Sequence, residues 1–127
     1  MAEGMSTATC NSILNAIFNA TAYSLANVYI KLHTAAPGAA GTSNAATETT
    51  RKAISCSAAS AGAITSDADI VWTLIAGSQD ATHFSIWDDV AAGNFVGSGT
   101  ITANAYVALD TYTIPAGDFD VSLTVAS

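Results

Sequence analysis

Charge is what this sequence has least of. Only 10% of its 127 residues are Asp, Glu, Lys or Arg, against roughly 25% in an ordinary soluble domain. The basic residues are Lys31, Arg51 and Lys52, and ten acidic residues leave a net charge of −7. Three cations cannot build the basic footprint that a phosphate backbone requires, which argues against a nucleic-acid partner. An anionic membrane surface repels such a chain for the same reason.

Cysteine is nearly absent too. Cys10 and Cys56 are far apart and show no C-x-x-C spacing, so neither a zinc site nor a disulfide framework is indicated. They read as two free, buried thiols, with a bridge between them as the alternative. Long apolar runs are missing: "ILNAIFNATAYSLANVYIKL" is interrupted by Asn, Ser, Thr and Lys and is too polar to span a bilayer. "MAEGMSTATC" has no basic segment ahead of an apolar one, so no secretory signal is read, and synthesis is expected in a cytoplasm.

What is present is small and neutral. Hydrophobic residues make up 50% of the chain, but many are alanine, so the surface must be largely Ala, Thr, Ser, Asn and Gly. Covering such a surface forfeits little hydration, because few charges need burying. That suits a subunit of an assembly.

The first periodic segment is helical. Ile13, Leu14, Ile17 and Phe18 share one face of a 3.6-residue repeat, with Thr7 or Thr9 as the cap. From Val28 the period becomes two, with Val28, Ile30 and Leu32 on one side and Tyr29, Lys31 and His33 on the other. "AAPGAAGTSNAATETT" then reads as a long surface loop turning at Pro37-Gly38, a segment that orders against a neighbouring subunit. Short strands follow in "RKAISCS", "DIVWTLI", "THFSIWD", "NFVGSGTIT", "YVALDTYTI" and "DFDVSLTVA". In the last, Phe119, Val121, Leu123 and Val125 share a face. Seven short strands separated by turns predict a mainly β fold, an antiparallel β-sandwich of jelly-roll or immunoglobulin-like type with one N-terminal helix. The expected division is an N-terminal arm and helix over residues 1–26 and a β-sandwich domain over 27–127.

"THFSIWDD", residues 82–89, is the segment closest to chemistry. On a strand, His83 and Ser85 share a face but stand about 6.6 Å apart, whereas a base must lie within roughly 3 Å of its nucleophile. No G-x-S-x-G elbow occurs. The expectation is that Phe84 and Ile86 face the core, Trp87 packs at its margin, and Asp88 and Asp89 open a turn. Asp88, Asp89, Asp118 and Asp120 match no calcium-loop spacing, and His33 with His83 is too few ligands for zinc. No catalytic residue, metal or cofactor is therefore expected. Trp72 and Trp87 read as core. Tyr29, Tyr106 and Tyr112 are expected on outward faces, as candidates for partner contact.

Several segments, in this order, carry a resemblance: "VYIKLHTAAPGAAGTSN", "ETTRKAIS", "THFSIWD", "GNFVGSGTIT" and "DTYTIPAGDFDVSL". Together they resemble short virion proteins of tailed bacteriophages and prophages, of the kind labelled tail-fibre proteins, across roughly residues 27–123. The first 18 residues match less clearly, which assigns their helix to particle-specific attachment. The resemblance implies a non-enzymatic structural protein located in the virion. It would be attached in multiple copies to the capsid exterior or the tail, with copies of itself and other virion proteins as partners. Expected contact residues are Ile13 and Phe18 of the helix, Pro37 and Thr42 of the 35–49 loop, and Tyr29, Tyr106 and Tyr112. Gly97, Gly99 and Gly117 are expected to permit turns or close backbone approach. A receptor- or glycan-binding module reading sugars through those tyrosines is the alternative, and a small hydrolase using His83 a third.

Overall fold

The computed structural model describes residues 3–127, with Ala103 described by its backbone alone. Met1 and Ala2 of the expected arm lie outside the described residues. Helix α1 runs Thr7–Phe18. Its cap is Ser6, not Thr7 or Thr9: the Ser6 hydroxyl accepts the Thr9 N–H at 3.1 Å, satisfying one of the donors that a helix start leaves open.

Eight strands follow among the described residues: β1 (Tyr29–His33), β2 (Lys52–Ala53), β3 (Ala63–Thr65), β4 (Ile70–Trp72), β5 (Gln79–Trp87), β6 (Phe95–Tyr106), β7 (Tyr112–Ile114) and β8 (Asp120–Ser122). The main sheet is antiparallel in the order β2-β1-β5-β6, and the facing layer consists of two two-stranded ribbons, β3-β8 and β4-β7. The architecture is mainly β and sandwich-like, as the two-residue rhythm predicts. β3 lies in the small-residue stretch after Cys56, where no strand was expected, because alanine and serine carry no periodic signal.

Register explains the core. Ile30 stands opposite Ile86, and Leu32 opposite Phe84, so one face of the β1–β5 pair is aliphatic and aromatic throughout. Each such side chain contributes roughly 1.5–3 kcal/mol when fully buried. Phe84 meets Phe119 across the two layers at 5.0 Å between ring centroids. Between Ala81 and His83 the register of β5 against β6 shifts, with the one residue Thr82 standing against residues 101–103 of β6, so the bulge lies on β6. Ala81 and Phe84, of opposite parity on β5, both belong to the core. Trp72 is buried, as expected, and its indole N–H donates to the Thr50 carbonyl at 2.9 Å.

Three expectations need correction. β8 stops at Ser122, because its partner β3 offers only three residues to pair with; Leu123 and Val125 are consequently exposed. "YVALDTYTI" is not one strand: Tyr106 ends β6, and the Asp110 N–H closes a turn on the Val107 carbonyl before β7 begins. The thiols are free, but Cys10 is exposed and Cys56 half-buried: Cys10 lies in the first turn of α1 beside an open surface pocket, and Cys56 at an isolated bridge with Ser66.

Gly97 and Gly99 serve close approach. A Cβ on Gly99 would sit 2.6 Å from the Phe84 ring. At Gly97 it would lie 2.9 Å from the Gly4 carbonyl, because residues 4–6 run along the β6 edge: the Ser98 N–H donates to Gly4 and the Ser6 N–H to Val96. Gly117 instead supplies a turn at φ +87°. Gly97→Ala should therefore detach the N-terminal segment and lower stability by about 1–3 kcal/mol. Chemical denaturation measures the loss, and hydrogen exchange should show faster exchange at Ser6 and Ser98.

Candidate functional site

The chemistry-bearing residues of 82–89 meet partners that lie far away in sequence. His33 and Ser85 are diagonal neighbours on β1 and β5, since Lys31 is the residue opposite Ser85 and His83 is opposite His33. The His33 Nε2 lies 2.7 Å from the Ser85 Oγ, and its Nδ1 lies 2.8 Å from the Ser43 carbonyl oxygen. A carbonyl only accepts, so Nδ1 carries the proton and Nε2 accepts the Ser85 O–H. The Trp87 indole N–H donates in turn to the Ser85 Oγ at 2.7 Å. Every polar atom of this chain of contacts is satisfied.

The distance from Ser85 to His33 falls within nucleophile–base reach, but the setting does not. His33 and Ser85 are both completely inaccessible to solvent. The Trp87 N–H also occupies an oxygen lone pair that a nucleophile would need. What the network does is hold a loop. Residues 35–49 fold over this face of the sheet, with the Ser43 N–H donating to Pro37 and the Ala46 N–H to Leu32. Phe95 packs where any Cβ on Gly41 would go. The loop expected to order against a neighbour is thus already ordered by its own chain.

His83 does meet a carboxylate: its Nε2 lies 3.2 Å from the Glu3 Oε1, with both side chains partly exposed. Its Nδ1 is 2.7 Å from the Thr82 Oγ1, whose hydrogen goes to the Thr34 carbonyl at 2.8 Å. That hydroxyl has no proton to give the imidazole. The contact lies on the sheet surface and ties the N-terminal segment to β5. A cavity of about 610 Å³ lies elsewhere, lined by residues that include Thr102, Tyr112, Asp118 and Asp120.

Asp88 and Asp89 open a turn, as expected. Asp88 accepts from the Asn94 backbone and side-chain N–H groups, which hold its carboxyl below the usual range. Asp89 accepts from Ala91 and Ala92. Arg51 locks the same turn by donating to the Asp89 and Ala92 carbonyls, and its guanidinium lies 3.9 Å above the centre of the Trp87 ring.

The expected contact residues divide. Phe18 and Thr42 are exposed, and Ile13 and Tyr29 half-buried. Pro37, Tyr106 and Tyr112 are buried, which corrects the expectation of outward faces for Tyr106 and Tyr112 and leaves little of Pro37 open to contact. Tyr112 stands opposite Trp72 in the β4–β7 ribbon, and its ring packs on Trp72 and edge-on against Tyr106; Pro37 is covered by its own loop. Other apolar residues are exposed as well. Leu14 and Ile17 extend the Phe18 face of α1, while Leu74, Val107 and Leu109 crowd two loops at the far end of β5 and β6. Leu74 and Leu109 adopt φ +51° and +73°, a left-handed backbone that costs a branched residue about 1–2 kcal/mol. An aperiodic conformation leaves no trace in a two- or 3.6-residue rhythm.

Ser85→Ala should strand the Trp87 N–H and the His33 Nε2, lowering stability by about 1–3 kcal/mol, as read from denaturant melts. The His33 pKa is lowered, chiefly by burial, with Lys31 and His83 adding to the effect against a hydrogen bond to Ser43. The folded state thus binds this proton less readily than the unfolded one, so stability rises with pH through that interval. The His33 contribution should be full above pH 6.5 and lost as pH falls from there through the lowered folded value. Melting temperatures from pH 7.5 down to 5 (roughly the window of histidine titration) should show this slope, and His33→Gln should flatten it.

No curated protein matches the chain. A family model does, that of the Podophage GP4 fiber I protein gp80, over residues 4–122. The match takes in α1, which the motif resemblance had left outside. With nearly its whole length matched, the chain belongs to this family of phage fibre proteins.

Proposed function

We propose that the chain is a non-enzymatic structural subunit of the virion, carried in multiple copies in the tail fibre apparatus, not on the capsid exterior. The observation that carries this reading is the match to a fibre family over residues 4–122. The geometry agrees with it: the one serine–histidine pair with catalytic spacing among the described residues is sealed inside the sheet and spent on holding a loop. Synthesis takes place in the host cytoplasm, and assembly proceeds through copies of itself and other virion proteins. Residues 1–26 serve as the attaching arm, with Ile13 and Phe18 on its helix, while 27–127 form the body that presents Tyr29 and Thr42. A sugar-reading platform of Tyr29, Tyr106 and Tyr112 loses two of its three members to the core.

Washed, density-purified phage particles are the direct test. Peptides of this chain should be present at several copies per particle, and immunogold labelling should decorate the tail. Particles free of the chain, or label confined to the capsid shell, would overturn the reading.

A further inference from the structure

Two apolar patches lie at opposite ends of the β5–β6 hairpin. At the turn end, α1 packs beside Asn94–Val96 and exposes Leu14, Ile17 and Phe18 by 53%, 66% and 78%. At the open end, β5 starts at Gln79 opposite Tyr106, and the flanking loops expose Leu74, Val107 and Leu109 by 71%, 61% and 72%. Those loops are tied together, with the Leu109 N–H donating to the Ile75 carbonyl and the Ile75 N–H to Asp110. The Glu48 carboxylate pins them from beneath by accepting the Ala76 N–H at 3.0 Å. Between the ends runs the nine-residue β5, about 30 Å of strand.

Single exposed apolar residues need no explanation, but a cluster of three at each end does. The open-end cluster is also held in place against its backbone preference. Asparagine or glycine would adopt the left-handed conformation of Leu74 and Leu109 without strain. A leucine kept there, exposed, on loops fixed by hydrogen bonds, presents its side chain outward.

Charge selects the occupant. Asp80 and Asp110 flank the open-end cluster, with Glu48 behind it, so two copies meeting open end to open end would bring like charges together. The turn end differs: residues 4–30, which include α1, contain no Asp, Glu, Lys, Arg or His. All three cations also lie toward that end. Lys31 stands opposite Ser85, Lys52 pairs with Ile30 beside Ile86, and Arg51 grips the 88–92 turn. Asp88 and Asp89 there are occupied by N–H groups of their own turn.

We infer that copies of this chain associate end to end, the Leu74–Val107–Leu109 tip of one docking on the Leu14–Ile17–Phe18 face of α1 in the next. Such a contact joins two different surfaces and does not close on itself, so it propagates into a linear array. The inference deepens the structural role proposed above and shows how a short chain without internal repeats can contribute to an elongated part.

Complementation tests it. Leu74→Asn/Leu109→Asn removes the tip while suiting the left-handed backbone, and Ile17→Gln/Phe18→Gln removes the helix face while keeping good helix formers. Thermal melts verify that both fold; if either pair does not, Leu109→Asn and Phe18→Gln alone replace them. In sedimentation velocity the parent chain should form species that lengthen with concentration, and each variant alone should stay monomeric. Their equimolar mixture should double in particle mass and grow no further, because one intact tip then meets one intact helix. Self-pairing of the tip variant would mean helix to helix, and self-pairing of the helix variant tip to tip. Either result, a mixture that stays monomeric, or a parent chain monomeric to its solubility limit overturns the inference. The virion measurement is independent: a chain found in particles but failing complementation loses only the end-to-end contact, whereas one that complements but is missing from particles loses only the virion role.

Discussion

The pairing of β5 between β1 and β6 is the constraint on which the rest of this structure depends. From Phe84 to Trp87, β5 is buried on both sides. Its inner side sends Phe84 and Ile86 into the space between the layers, opposite Leu32 and Ile30. Its outer side would leave Ser85 and Trp87 beside water. Instead His33 and the 35–49 loop cover them, and the hydroxyl and indole N–H are satisfied internally. A polar network of this kind is tolerable in a low-dielectric interior only when complete. Its completeness converts an alanine- and glycine-rich loop, which has little apolar surface of its own, into a fixed part of the fold.

That arrangement also fixes what the chemistry-bearing side chains are bonded to. Histidine, serine and aspartate are all present, and two of them stand at catalytic distance. Each is committed elsewhere: Ser85 between His33 and Trp87, Asp88 and Asp89 to turn N–H groups, and His83 to Glu3 and Thr82. The exposed features are apolar side chains on a charge-poor surface, which is what association between protein subunits uses. Membership of a phage fibre family fits a molecule whose work is contact.

Much of this was legible in the sequence. The apolar spacing of Ile13, Leu14, Ile17 and Phe18 gave a helix, and the alternation in "VYIKLH" and "THFSIW" gave the two strands at the centre of the main sheet with the correct inward residues. Both tryptophans were placed in the core by size and by the shortage of other large side chains. Periodicity was misleading where strands lacked partners. Leu123 and Val125 continue a perfect alternation, yet β3 is too short to pair with them. Tyr106 and Tyr112 look like amphipathic surface residues, and only the ring packing with Trp72 shows them to be core.

The sequence by itself determined the element types, the acidic and charge-poor surface, and the inward face of the central strands, because these depend on local spacing and composition. Tertiary structure decided which serine meets which histidine, since a diagonal contact between β1 and β5 joins residues 52 positions apart. It also decided that the long loop is fixed and that Leu74 and Leu109 stand outward on adjacent loops. Those outcomes depend on strand register and on left-handed backbone at single residues, and neither has a periodic signature along the chain.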